Sequence, residues 1–88
     1  GPMPRICEFF GIVIYVYYDD HPPPHFHARY GDEECVFDIA TLGVIAGEVR
    51  PRVRALVVEW AALRRTEILR AWEQCRNHQP VDPVEPLE

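Results

Sequence analysis

The stretch Ile12-Val13-Ile14-Tyr15-Val16-Tyr17-Tyr18 consists entirely of β-branched and aromatic residues. Such residues favour strands, and alternate side chains along a strand point to opposite faces of the sheet. We therefore predict a strand whose Ile12, Ile14 and Val16 side chains face the core. Tyr15 and Tyr17 then point away from the core, where they are candidate binding residues.

Weaker strand patterns lie on both sides of this stretch. Residues 6–10 precede it, residues 25–30 and 35–39 follow it, and residues 41–47 form a candidate fifth strand between two glycines. From Pro51 to Cys75 the apolar residues recur at helical spacing, interrupted at Arg64-Arg65-Thr66. The sequence predicts an α+β fold: an antiparallel sheet of four to five strands with a C-terminal helix, continuous or kinked into two, packed on one face.

The chain length of 88 residues suits one small domain, which we place at residues 3–77. Gly1-Pro2 ahead of Met3 resembles the remnant of a cleaved tag. Prolines at positions 80, 83 and 86 exclude further helix, so we predict that residues 78–88 form a mobile, acidic, proline-rich tail.

Charge and cysteine content narrow the function classes. The net charge of −5 argues against a surface that attracts nucleic acid. The basic residues of the predicted helix spread over its solvated side, so we do not expect direct DNA binding by this chain alone. No apolar run is long enough to span a membrane. The three cysteines lie far apart in apolar patterns, which predicts reduced core thiols in a cytoplasmic protein.

Three of the four histidines lie within His21-Pro22-Pro23-Pro24-His25-Phe26-His27. The prolines restrict the backbone and favour a stiff, extended segment. If Phe26 faces the core, then His25, His27 and Arg29 share the outer face of the sheet with Tyr15 and Tyr17. Two carboxylates join the set of candidate site residues, Asp20 before the motif and Asp38 on the outer face of the next strand.

Two chemical hypotheses follow from this face. In the first, the protein is an enzyme that cleaves RNA or a nucleotide: His25 and His27 act as base and acid, Arg29 stabilises the developing charge, and Tyr15 or Tyr17 stacks a base. In the second, His21, His25 and His27, with Asp20 or Asp38, bind zinc, nickel or iron. Ordinary surface histidines and tyrosines that merely cover the sheet are the alternative to both.

Several motifs together resemble one family. They are Met3-Pro4, Phe9-Phe10-Gly11-Ile12, Ile14-Tyr15, the run from Asp20 through the histidine motif to Tyr30-Gly31, Glu59-Trp60 and Trp72-Glu73. This pattern is similar to that of the small bacterial proteins grouped as domain of unknown function 4160. The chain departs from it in the third proline, Pro22, and in a helix whose basic residues are all arginine.

The resemblance implies a partner. Members of that family are commonly encoded beside a small protein of another uncharacterised family, domain of unknown function 2442, in an arrangement similar to toxin–antitoxin pairs. This gives a third hypothesis, a non-enzymatic module that binds its operon-encoded partner through the His/Tyr-rich sheet face. The unpaired edge of the sheet is a further candidate for pairing with a partner, or with a second copy in a homo-oligomer. Whether the protein is an enzyme stays open at this point.

Overall fold

The computed structural model describes residues 3–19 and 21–88 and confirms the predicted α+β fold. Five strands are followed by one helix: β1 (Arg5–Phe9), β2 (Ile12–Tyr15), β3 (His25–Tyr30), β4 (Glu33–Asp38), β5 (Val44–Glu48) and α1 (Pro51–Arg76). All neighbouring strands pair antiparallel, in the order β1-β2-β3-β4-β5. The chain therefore forms a simple meander, and the candidate fifth strand is confirmed as one edge of the sheet.

One face of the sheet packs against α1, and the predicted alternation sets which side chains lie there. Ile12, Ile14 and Val16 are fully buried, as are Phe26 and Phe37. Trp60 of α1 contacts this layer, with its ring centroid 5.7 Å from that of Phe26. The three cysteines are buried and form no disulfide, as predicted for core thiols. No helix within the described residues is long and apolar enough to cross a membrane.

The helix kinks where its apolar pattern is interrupted. Arg64 has non-helical backbone angles, φ −124° and ψ 19°, within an otherwise continuous α1. The next residue, Arg65, donates from Nε to the backbone carbonyl of Ile39 at 3.0 Å. Arg65, an exposed residue at the kink, thus satisfies the carbonyl of the residue that follows β4.

Part of the tail, residues 78–88, packs against the domain in the structure. Val84 is 4 % exposed, and its backbone N–H donates to the carbonyl of Ile6 in β1 at 2.8 Å. Trp60 Nε1 donates to the carbonyl of Glu85 at 2.7 Å. The prolines do exclude helix, as predicted, but the apolar residues between them complete the core beside β1.

Candidate functional site

The sheet face away from α1 carries the predicted aromatic and imidazole residues; we call it the outer face. In the strand register Tyr15 lies opposite His27, and His25 lies opposite Asp38. The ring centroids of His25 and His27 are 5.3 Å apart, and the Tyr17 ring lies edge-on to His27 at 4.3 Å. The structure therefore brings both tyrosines and two of the three motif histidines together.

The proline motif orients His25. The chain bends at Pro22 and Pro23, which are joined by a cis peptide bond, so the motif is not the extended segment that we predicted. His25 Nδ1 lies 2.7 Å from the carbonyl oxygen of Pro23. A carbonyl can only accept, so Nδ1 carries the proton and Nε2 of the neutral ring keeps its lone pair. The backbone thus fixes which nitrogen of His25 can accept a proton or a hydrogen bond.

Glu34 contacts both Arg29 and His27 on the outer face. Arg29 Nη2 donates to Glu34 Oε1 at 3.2 Å, and His27 Nδ1 lies 3.7 Å from Glu34 Oε2. The His27 side chain is only 12 % exposed, whereas that of Arg29 is half exposed. We did not predict a role for Glu34, although the alternation that put Asp38 on the outer face also puts Glu34 there.

Asp38, one of the predicted binding residues, accepts hydrogen bonds from the turn that follows β4. Its Oδ1 accepts backbone N–H bonds from Ala40 at 2.7 Å and Thr41 at 2.9 Å. These bonds cap the turn between β4 and β5, as aspartate commonly does in turns. Arg29 pairs with Glu34, which lies directly opposite it in the strand register, whereas Asp38 lies opposite His25. The other predicted carboxylate, Asp20, lies outside the described residues.

The predicted metal ligands, His21, His25 and His27 with Asp20 or Asp38, lie only partly within the described residues, because Asp20 is outside them. Among residues 3–19 and 21–88, no group of three or more histidine, cysteine, aspartate or glutamate side chains is arranged to hold a metal ion. His21 is exposed at the start of the proline run, whereas His25 and His27 lie on β3. Proximity in the sequence does not by itself make ligands converge.

Three grooves described in the structure lie away from His25 and His27. Their volumes are 260 to 530 Å³, they lie around the start of α1 and beside the tail, and neither histidine lines any of these three. Small-molecule and catalytic sites are usually concave, whereas protein-binding surfaces are often flat.

Comparison with known protein families finds a match for most of the chain. A family model described as "Domain of unknown function (DUF4160)" matches residues 11–73. The chain belongs to this family. The match runs from the turn before β2 to near the end of α1, so it contains every residue of the outer-face cluster and excludes β1 and the tail. No curated protein and no solved structure shows significant similarity to the chain.

Proposed function

We propose that this protein is a small component of a toxin–antitoxin-like pair and that it binds its operon-encoded partner through the outer face. The observation that supports the proposal is the clustering of Tyr15, Tyr17, His25 and His27 on the one sheet face that α1 leaves uncovered. Tyrosine and histidine combine apolar area with polar tips, which suits a surface that is wet when free and dry when bound.

The polar groups of this face are already ordered by the protein. Asp38 caps a turn, Arg29 pairs with Glu34, and His25 is held by a backbone carbonyl. An ordered surface loses little side-chain entropy on binding, which favours affinity for a preformed partner. We expect the aromatic rings to contribute most of the binding free energy, since truncation of central aromatic residues typically has the largest effect at interfaces.

Co-expression with the protein encoded by the neighbouring gene tests this proposal. The wild-type pair should co-purify, and Tyr15→Ala should weaken the complex by roughly 2 kcal/mol, or about thirtyfold in Kd. Leu63→Ala is the matched control: Leu63 is the most exposed large apolar residue described, at 66 %, and lies on α1 away from the outer face. Failure of the wild-type pair to associate at micromolar concentration, or an equal loss in both variants, would overturn the proposal.

An RNA- or nucleotide-cleaving enzyme is the second candidate, favoured by the fixed orientation of His25. His25 Nδ1 lies 2.7 Å from the carbonyl oxygen of Pro23, and the ring centroid of the second imidazole, His27, is 5.3 Å away. Expression of the chain alone in a bacterial host tests this function. Growth arrest that disappears in His25→Ala and His27→Ala, but persists in the turn-capping variant Asp38→Asn, would support catalysis. Arrest that survives both histidine substitutions would exclude these residues as acid and base.

A further inference from the structure

The two edges of the sheet differ in how they are covered. At the β1 edge the tail lies against the strand and donates a backbone hydrogen bond from Val84 to Ile6. At the β5 edge all five residues are exposed, including Val44 at 45 % and Ile45 at 48 %. Within the described residues, no backbone hydrogen bond joins β5 to any segment on its outer side. An exposed strand edge is a template on which another strand can pair.

A row of charges on the outer face leads to this open edge. In the strand register the row runs through Glu8, Val13, Arg29, Glu34 and Glu48, one residue on each strand from β1 to β5. Arg29 compensates Glu34, but Glu34 and Glu48 lie directly opposite each other, an arrangement that destabilises a strand pair. In the described part of the chain Glu48 makes no hydrogen bond or ion pair of its own. The row therefore ends at the open edge on an uncompensated negative charge.

We propose that β5 accepts an additional strand from a partner protein, with an arginine or lysine opposite Glu48 and an apolar residue beside Ala46. This inference rests on the proposed function, in that the ligand is a protein, and it names the element and chemistry that the partner contributes. The strand register shifts at Ile45, so we place the added contacts at residues 46–48, on the regular side of this bulge. A basic side chain there places a positive charge beside Glu48, which has no ion pair of its own within the described residues.

A second copy of this chain is a poorer occupant. The strand Val44–Glu48 contains no basic residue, so two paired β5 strands leave Glu48 without a cation in any register. The nearest arginine along the chain is Arg50, whose guanidinium already makes two hydrogen bonds to the Glu33 carboxylate. Charge complementarity thus selects a different protein.

Synthetic strands test the proposal without the neighbouring protein. Two blocked octapeptides of alternating threonine and valine, identical except for a central lysine or glutamate, are titrated into the ¹⁵N-labelled full chain. We expect the lysine peptide to bind about two- to fivefold more tightly, with shift changes confined to β4 and β5. In Glu48→Lys the preference should invert. Glu8→Lys, which makes the same change at the covered end of the row, should leave the preference unaltered.

The possible results separate cleanly. Absence of binding at millimolar peptide, a preference that Glu48→Lys does not change, or shift changes centred on β1 or on His25 and His27 would each overturn the edge proposal. If Tyr15→Ala no longer binds the protein encoded by the neighbouring gene, that result concerns only the outer face. The peptide titration does not involve that protein and tests only the β5 edge. Failure of the proposed function and failure of this inference are therefore distinguishable.

Discussion

Replacement of Val84 by alanine tests whether the tail is part of the folded domain. The side chain is 4 % exposed and packs in the same core cluster as Ile6 and Trp60. Valine to alanine removes the equivalent of two methylene groups, about 0.8 kcal/mol each, or roughly 1.6 kcal/mol. A small additional term for the cavity brings the expected loss of unfolding free energy to about 2 kcal/mol. For a domain of this size the melting temperature should fall by roughly 8 to 16 °C.

Urea unfolding followed by tryptophan fluorescence measures this loss. Trp60 is a suitable reporter because its indole N–H donates to the carbonyl of Glu85, the residue after Val84. The matched control is Val44→Ala on β5, where the same substitution removes a half-exposed side chain and should cost less than about 0.5 kcal/mol. If the two variants lose equal stability with unchanged m-values, the tail is not packed in solution and our account of it is refuted.

Three further predictions concern backbone geometry and titration. Gly47→Ala should destabilise the fold by clearly more than Gly31→Ala, because both have positive φ but only at Gly47 would a Cβ lie 2.3 Å from a backbone oxygen; equal thermal shifts would contradict this. Hydrogen bonds from Arg50 lower the pKa of Glu33 below 4.5, so the ionised carboxylate stabilises the fold above that pH. This stabilisation is lost as the pH falls below about 4.5. In Glu33→Gln the free energy of unfolding should therefore depend less on pH in this acidic range. Burial raises the pKa of Cys7 above 9.0, so stability should fall as pH rises past 9, with a shallower alkaline slope in Cys7→Ala.

The fold could be predicted because its signals are local. Alternating apolar residues in β2, β3 and β4 define the inner face, and the change to helical spacing at Pro51 marks the start of α1. The end of β2 was predicted too late, at Tyr18 instead of Tyr15, since the run of strand-forming residues continues after the ladder ends. The packing of the tail depends on contacts between residues about 80 positions apart, which no local pattern reveals.

The site was predicted only in part, for a similar reason. Strand parity correctly placed His25, His27 and Arg29 together, because parity is a property of one strand. It could not show that Asp38 would turn back to cap its own loop, nor that Arg29 would select Glu34. Which carboxylate lies opposite Arg29 depends on the cross-strand register, which only the folded chain determines.

The pairing of Arg29 also weighs on the choice between the two candidate functions. A ribonuclease of the predicted kind needs a cation that can reach the phosphate in the transition state. Here the guanidinium is hydrogen-bonded to Glu34, so an incoming phosphate must compete with a carboxylate 3.2 Å away. A protein partner need not displace this pair, because an ion pair at the rim of an interface can stay intact while the neighbouring Tyr15 ring is buried. The geometry of the outer face therefore favours binding over catalysis.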